Sequence, residues 1–290
     1  MKLHFMNNTF CMDTVQSSAT KDLERSARFE LQRVPQLMPA KPELQISACT
    51  GQHQGDRKEQ QDRVAIFSSP VVKNCILGVL ADGLGGLKGG SLAAENVILT
   101  TKQRFNSFDP EVETVSSFFK SLIAEIHTVI RLTAITSGVE PHSTFAAMLV
   151  YPKGIAFCHV GDSRIYHFNG AAIRHRTQDH TYAQSLIDRG VMTAEKAALH
   201  PSAQRLTNTL GGQKDPIPTI AEFGQPLPGD SYMLCSDGLW AYFNSGELGG
   251  VLSHLTARES AEVLIAQARE RANKNGDNCS TVIFKFDRLA

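Results

Sequence analysis

The sequence has no net charge, no cysteine pair at metal-binding spacing and no apolar run long enough to cross a membrane. Its 29 basic and 29 acidic residues cancel, so no overall field favours nucleic acid or an anionic membrane surface. No stretch approaches the roughly 18 consecutive apolar residues of a membrane span, and the N-terminus lacks the apolar core of a signal peptide. These absences predict a soluble, cytoplasmic protein that binds neither nucleic acid nor membrane and holds any anionic substrate locally.

Cysteine and histidine are present, but neither is clustered. The six cysteines form no CxxC pair, and several stand in apolar, strand-like runs, which is typical of small buried hydrophobes in a reducing compartment. A disulfide framework is therefore not expected. The histidines are scattered, whereas a zinc site needs His or Cys at close spacing, so each is expected to be structural or exposed.

What the sequence does contain is a hydrophobic fraction of 42%, ample for a buried core. From Gln45 onward, short apolar runs predict three strands, then two helices, then further strands up to Phe286. The order shows no β-α-β alternation, which favours an α+β sandwich over a doubly wound sheet. The short turns that separate residues 145–151, 155–160 and 164–168 predict that these strands pair antiparallel.

Two segments differ from this pattern. Residues 1–44 are polar, with only a weak helical pattern between Leu23 and Val34, and are expected to be an N-terminal extension that is loosely ordered or partly helical. Residues 45–290 then form the main domain. Within that domain, residues 181–228 begin with a short helical pattern and continue irregularly with proline and glycine, which is typical of a functional flap.

The stretch LADGLGGLKGGS, residues 80–91, is the strongest candidate for a site. A buried strand ends in Asp82, and five glycines follow within eight residues, so backbone carbonyls can approach an ion. A P-loop is not matched, because Lys88 precedes the last two glycines instead of following them. A glycine-rich turn with a solvated aspartate remains the alternative. The later glycines are expected to let the chain turn into a helix that starts near Ser91.

Four other aspartates stand beside predicted strands. Asp62 precedes RVAIF, Asp237 follows SYMLC, Asp277 precedes TVIFKF, and Asp162 lies between two strands. Acids that face one rim of a sheet repel each other unless cations lie among them, and ligation by oxygen alone indicates Mg²⁺ or Mn²⁺.

In this order the segments resemble the metal-dependent protein serine/threonine phosphatases of the protein phosphatase 2C family, especially the bacterial members. GDRKEQQDR is similar to the family's Arg-x-x-Asn-Glu-Asp segment, LADGLGGLKGG to its Asp-Gly-x-Gly-Gly segment, HVGDSRIY to its Gly-Asp-Ser-Arg segment and TQDHT to its Thr-x-Asp-His segment. SDGLW and GDNCSTVIF resemble the last two. The match runs from about Gln45 to Phe286.

The resemblance implies a four-layer α-β-β-α sandwich of two antiparallel sheets flanked by helices, with a two-metal centre at one end. Carried over by position, Asp82 bridges two ions, Mn²⁺ or Mg²⁺. The carbonyl of Gly83 completes one metal site. Asp237 and Asp277 are the implied ligands of the other ion.

The remaining implied roles fall to three residues. Asp62 acts mainly through metal-bound water, and Asp162, together with Asp237, is a candidate ligand for a weaker third ion. Arg57 holds the substrate phosphate. The implied catalytic set is Arg57, Asp62 and Asp82, with a metal-activated water as the nucleophile and no covalent phosphoenzyme.

The sequence departs from the family pattern in several places. Gln60-Gln61 replaces Asn-Glu, so Gln61 contributes no charge near one ion. Leu84 stands where some relatives have a histidine proposed as a general acid, so water is expected to protonate the leaving group unless that protonation matters less. His142 stands where a glycine often precedes Ser-Thr, and Ala241 stands where an acid often follows SDGLW.

The predicted function is hydrolysis of phosphoserine and phosphothreonine in proteins by a monomeric, metal-dependent phosphatase that opposes a bacterial Hanks-type Ser/Thr kinase. One alternative is a catalytically weak or silent relative that binds phosphoproteins as a regulator, motivated by Gln61 and His142. A second alternative is an enzyme that dephosphorylates one small regulatory protein for one specific partner.

Overall fold

The computed structural model describes residues 6–11 and 44–288. The strands, in chain order, are β1 (Met6–Cys11), β2 (Leu44–His53), β3 (Arg63–Ser68), β4 (Ile76–Ala81), β5 (Gly83–Leu84), β6 (His142–Ser143), β7 (Phe145–Tyr151), β8 (Gly154–Val160), β9 (Arg164–Asn169), β10 (Ala172–Arg176), β11 (Thr219–Phe223), β12 (Asp230–Cys235) and β13 (Cys279–Arg288). The helices are α1 (Gly86–Phe105), α2 (Val115–Ser137), α3 (Tyr182–Asp188), α4 (Ala194–Ala198), α5 (Asp237–Trp240), α6 (Ser245–His254) and α7 (Ala257–Ala272).

The strands form two larger antiparallel sheets and one short ladder. The six-stranded sheet has the order β1-β2-β13-β12-β9-β10, the five-stranded sheet has the order β11-β8-β7-β4-β3, and β5 pairs with β6. None of the helices in the described part of the chain is long and apolar enough to cross a membrane.

Three apolar layers hold the elements together. Between the two sheets, side chains such as Leu80, Met148 and Phe284 form a central core. On the outer face of the five-stranded sheet a second core lies against α1 and α2, and on the outer face of the six-stranded sheet a third lies against α5, α6 and α7. The predicted four-layer α-β-β-α sandwich of two antiparallel sheets is confirmed.

The predicted pairing of consecutive strands holds for β7 and β8 but is wrong for β8 and β9. β8 pairs with β7 and β11, whereas β9 pairs with β10 and β12 in the other sheet. The turn at Gly161, where φ is 101°, therefore carries the chain from one sheet to the other. A short turn between two strands limits the distance between them but does not place them in the same sheet. The chain can also cross within a short turn between two sheets that are packed together.

The helices α2 and α7 begin directly after a residue whose side chain caps the N-terminus. The spacing of apolar residues from Val112 onward predicts a second helix that starts near Pro110, but the helix begins at Val115, after its N-cap Thr114. Val112 is 85% exposed and is not part of the buried face. The sequence Thr256-Ala257-Arg258-Glu259 predicts a capping box, and this box is present at the start of α7.

The first helix begins inside the glycine stretch, at Gly86, and not near Ser91 as expected. Gly85, with φ of 115°, is its N-cap. A Cβ on Gly83 would lie 2.0 Å from the carbonyl oxygen of Gly90, and a Cβ on Gly90 would lie 2.5 Å from that of Gly83. These glycines therefore allow the first turns of the helix to pack directly against β5.

Two segments that looked irregular contribute strands. Met6–Cys11 pairs antiparallel with β2 along its free edge, because an edge strand offers unpaired backbone groups to any extended segment. The weak helical pattern between Leu23 and Val34 lies outside the described residues. Within residues 181–228, Thr219–Phe223 pairs with β8, so the last part of the predicted flap belongs to a sheet.

Candidate active site

Five aspartates lie at one rim of the sandwich, where strands of both sheets begin or end. Asp82 follows β4 and Asp62 precedes β3, and these two strands pair side by side. Asp237 follows β12 and Asp277 precedes β13, which also pair. Asp162 lies in the turn that crosses between the sheets. The fold thus brings together the acids that the sequence singled out.

The backbone of Asp82 is fixed by the Ser-Thr pair that leads into β7. The hydroxyl of Thr144 accepts a hydrogen bond from the Asp82 amide at 3.0 Å, and the Thr144 amide donates to the Asp82 carbonyl at 2.9 Å. The hydroxyl of Ser143 donates to the same carbonyl. Thr144 also meets the hydroxyl of Ser163 at 2.7 Å, so the turns that carry Asp82 and Asp162 are linked.

Asp62 is the most deeply buried of the five, at 1% exposure. Burial raises the pKa of its carboxyl, hydrogen bonds from Ser280 and Ser236 oppose that rise, and repulsion by Asp237 and Asp277 adds to it. The Ser236 hydroxyl donates to Asp62 Oδ2 at 2.8 Å. A carboxylate held this way can order water beside an ion.

The carboxyl pKa values of Asp82 and Asp237 are raised for similar reasons. Burial raises the pKa of Asp82 well above its usual value, and Asp62, Asp237, Asp162 and Asp277 each raise it further by repulsion. Burial, then repulsion by Asp277, raises the pKa of Asp237. Buried acids that repel one another are stabilised by a cation placed among them. This donor set of oxygens alone therefore fits divalent ions such as Mn²⁺ or Mg²⁺.

Arg57 forms an ion pair with one of the five aspartates, Asp277. Its guanidinium donates to Asp277 Oδ2, and this hydrogen bond is the main cause that raises the pKa of Arg57. Asp277 is therefore turned towards Arg57. Among the described residues, no three acidic, histidine or cysteine side chains converge closely enough to hold an ion by themselves, so a bound ion would also need water and backbone oxygens, as Mg²⁺ commonly does.

Asp82 and Asp237 both line two adjoining cavities. One, of about 350 Å³, is lined by Arg57, Asp82, Gly83, Asp237 and Asp277 together with neighbouring residues. The other, of about 390 Å³, is lined by Asp82, Leu84, His142, Asp162, Gln204, Leu206, Thr209 and Asp237. Asp62 lines neither of these two cavities. The segment 204–209 thus reaches the site from the predicted flap.

The five cysteines whose side chains are described are free and buried, as predicted. Burial raises the thiol pKa of each one, to about 11 for Cys49 and to about 12 for Cys75, and further for Cys158, Cys235 and Cys279. A thiolate nucleophile is therefore not formed at any of these positions.

The family model for protein phosphatase 2C matches residues 51–270. The chain belongs to the protein phosphatase 2C family. The protein phosphatase PhpP of Streptococcus pneumoniae is 28% identical over 229 residues, which cover 77% of this chain and 90% of PhpP. The serine/threonine protein phosphatase PstP of Mycobacterium tuberculosis is 29% identical over 216 residues, which cover 70% of this chain but only 39% of the length of PstP.

Solved structures agree with this assignment. The Streptococcus agalactiae serine/threonine phosphatase superposes with a TM-score of 0.76 at 24% identity, covering 83% of this chain and 99% of that one, which shows a shared fold. The PstP catalytic domain, solved with two manganese ions, superposes with a TM-score of 0.69 at 25% identity, covering 84% and 99% of the two chains. This chain therefore carries a serine/threonine protein phosphatase domain of the family.

The sequence pointed to the carboxylates of this phosphatase domain but missed a residue that connects their loops. The side chain of Asn278 accepts from the Gln61 amide at 2.7 Å and donates to the carbonyls of Gln54 and Glu59 at 2.7 and 2.9 Å. Asn278 is 5% exposed and fixes the loop that carries Arg57. In the sequence, the position of Asn278 directly after Asp277 could have indicated that it belongs to the site.

A second set of residues positions Asp162. Arg164 donates two hydrogen bonds to Asp179, at 2.8 and 2.7 Å, and its guanidinium lies 3.4 Å from the centre of the Trp240 ring. The indole of Trp240 donates to the Asp162 carbonyl at 3.0 Å. In the sequence, the favoured interpretation of Arg164 is a structural salt bridge to a nearby acid, and the pair with Asp179 confirms it. Trp240 connects that pair to the rim.

Proposed function

We propose that this protein hydrolyses phosphoserine and phosphothreonine in other proteins, with two Mn²⁺ or Mg²⁺ ions held at the rim. The observation that carries this proposal is the cavity that Asp82, Asp237 and Asp277 line together with Arg57. Burial and mutual repulsion raise the carboxyl pKa of Asp82 and Asp237 there. The two manganese ions of the PstP catalytic domain support the choice of metal.

The proposed ligand roles follow the position of each residue. Asp82 would be a ligand shared by the two ions, the carbonyl of Gly83 would help to hold one of them, and Asp237 and Asp277 would hold the other. Asp162, together with Asp237, is the proposed site for a weaker third ion. Bound cations would supply the charge that lowers the pKa of a water molecule and balances the phosphoryl oxygens.

The residues of the chain itself do the remaining work. Asp62, buried and fixed by Ser236, orders water at the edge of the site. Arg57, which is 62% exposed in its side chain, can leave Asp277 and bind the substrate phosphoryl group through its planar fork of donors. Asn278 keeps the loop of Arg57 in place.

The wider setting is also a proposal. We place the catalytic domain at residues 45–290, with a flap at about 181–228 and an extension at residues 1–44. The substrates are phosphoproteins of a Hanks-type Ser/Thr kinase, and the enzyme acts as a monomer in the bacterial cytoplasm. The family resemblance and the bacterial relatives PhpP and PstP support this setting.

Hydrolysis of a phosphothreonine peptide by the purified protein tests the proposal. We expect turnover with Mn²⁺, none after addition of EDTA, and none in Asp82→Asn, because an amide cannot supply the bridging charge. Asp287→Asn changes an exposed acid at the other end of β13 and is expected to behave as the wild type. If the wild type shows no turnover that depends on Mn²⁺, or if Asp82→Asn keeps it, the proposal fails.

A further inference from the structure

His142 lies in the catalytic cavity although the sequence assigned it no role. It pairs directly with Leu84 in the short β5-β6 ladder. Residues directly opposite one another in an antiparallel pair project to the same face. The imidazole therefore lies beside the Leu84 side chain, and both line the cavity that Asp82, Asp162 and Asp237 also line.

The chemistry of the cavity leaves one function without a residue. When a phosphate ester is hydrolysed, the oxygen of serine or threonine leaves as a poor leaving group unless it receives a proton. Leucine, threonine and glutamine supply no proton at neutral pH, and the aspartates are the proposed metal ligands. Apart from these aspartates, His142 is the lining residue whose side chain is of a type that serves as a general acid in enzymes.

The contacts of His142 differ from those of the neighbouring histidines. His127 accepts from the Gly211 amide at 3.1 Å, His159 meets the carbonyl of Gln178 at 2.9 Å, and His180 accepts from the Gly161 amide at 3.1 Å. Each of those hydrogen bonds gives the ring a structural role. Nδ1 of His142 is buried without a hydrogen-bond partner among the described residues, as are Nε2 of His127 and Nδ1 of His159. His142 differs from those two in that it lines the cavity beside the aspartates.

We propose that His142 is a catalytic residue that donates a proton to the leaving seryl or threonyl oxygen. The water oxygen bonds to phosphorus, the bond from phosphorus to the side-chain oxygen breaks, and its electron pair stays on that oxygen. The proton of the imidazolium then forms the hydroxyl of the product. The imidazole regains a proton from solvent, which also receives the one lost by the attacking water. This inference rests on the proposed phosphatase function.

Substrates with different leaving groups test this role. A phosphothreonine peptide needs a proton on its leaving oxygen, whereas p-nitrophenyl phosphate releases a stable anion that needs none. In His142→Gln we expect kcat for the peptide to fall about 10²–10⁴-fold, the range of general acid catalysis. The kcat for p-nitrophenyl phosphate and the KM for the peptide are expected to stay close to the wild-type values.

Two controls accompany the variant. His254→Gln removes an exposed histidine from the end of α6 and is expected to leave both substrates unaffected. The increase in melting temperature on adding Mn²⁺, which does not depend on turnover, is expected to be the same in His142→Gln and in the wild type. An equal loss on both substrates, a loss confined to KM, or no loss at all would overturn the role of His142.

A second measurement needs only the wild-type protein, should the variant fail to fold. Along a series of aryl phosphates of increasing leaving-group pKa, proton donation predicts that kcat depends weakly on that pKa. A steep fall in kcat along the series would contradict it. If the wild type does not hydrolyse p-nitrophenyl phosphate with Mn²⁺ at all, the proposed function fails first, which separates the two outcomes.

Discussion

Two arginine–aspartate pairs flank the rim of carboxylates, and they differ in their surroundings. Arg57 and Asp277 are 62% and 36% exposed in their side chains, whereas Arg164 and Asp179 are 14% and 13% exposed. Arg57 meets its partner through one guanidinium nitrogen. Arg164 uses two, and its guanidinium also lies over the ring of Trp240.

An arginine–aspartate pair therefore has a different role in each of the two places. An exposed ion pair contributes about 0–1 kcal/mol to stability, so Arg57 can exchange Asp277 for a phosphoryl group with little loss of stability. Separating a buried bidentate pair would leave two charges without a partner and away from water, so Arg164 stays in place and holds Trp240, and through it Asp162. Burial and geometry decide which arginine can bind a substrate.

The largest expected effect is on stability in Arg164→Ala. Removing this partner leaves Asp179 buried without a counter-charge, so we expect the free energy of unfolding to fall by about 3–5 kcal/mol in urea titrations. Arg57→Ala is the matched variant and is expected to lose no more than about 1 kcal/mol. Equal losses in the two variants would remove the distinction between the pairs.

Asp162, which the buried pair helps to position, predicts a pH dependence. Burial, and then repulsion by Asp237 and Asp179, raises the pKa of Asp162 to about 7. The folded state therefore binds this proton more tightly than the unfolded chain does. The stability that comes from it is complete below the unfolded pKa of about 4 and is lost as the pH rises through about 7.

Urea titrations of the protein in EDTA measure this effect. Between about pH 5 and about pH 7.5 the free energy of unfolding is expected to fall by on the order of 2–4 kcal/mol on account of Asp162. Asp162→Asn, which cannot titrate, is expected to show a correspondingly smaller fall. Identical pH profiles for the wild type and this variant would contradict the assignment.

The role of the exposed pair, Arg57 and Asp277, is tested by measuring activity instead of stability. In Arg57→Ala the kcat/KM for a phosphothreonine peptide is expected to fall roughly tenfold to a hundredfold, because a hydrogen bond to a charged group contributes about 1.5–3 kcal/mol. Arg57→Lys keeps the charge but not the planar fork, so it is expected to recover part of the loss. If Arg57→Ala keeps wild-type kcat/KM, Arg57 does not bind the phosphoryl group.

The smallest expected effect is that of the residue that supports Arg57. Asn278→Ala removes hydrogen bonds to partly buried backbone groups of Gln54, Glu59 and Gln61, so we expect a loss of about 1–3 kcal/mol in unfolding free energy. Asn278→Asp keeps the acceptor and loses the two donors, and is expected to lie between. Melting temperature and kcat/KM together measure this role, and unchanged values would contradict it.

Much of the sandwich could be predicted because its strands are apolar runs bounded by turns. Residues 145–151 were predicted as a strand, and β7 has those bounds. The rim was also predictable, since an aspartate within two residues of an apolar run lies near the end of a strand. Asp62, Asp82, Asp237 and Asp277 all follow this rule.

What the sequence could not supply depends on contacts between distant segments. β11 is short and lies on an edge, and its pairing with β8 joins residues that are about 60 positions apart. The early start of α1 depends on the close approach of Gly83 and Gly90, which no local pattern indicates. Asn278 and Trp240 act through hydrogen bonds to other loops, so their roles appear only in three dimensions.

Titration of Mn²⁺ into the protein by calorimetry, without any substrate, tests most directly the claim that the buried carboxylates at the rim form a cation site. The wild type is expected to bind two ions, and Asp82→Asn, which removes the bridging carboxylate, is expected to bind them weakly or not at all, while Asp287→Asn retains binding. If the wild type binds no Mn²⁺, or if Asp82→Asn binds two ions as the wild type does, the account of the rim is wrong.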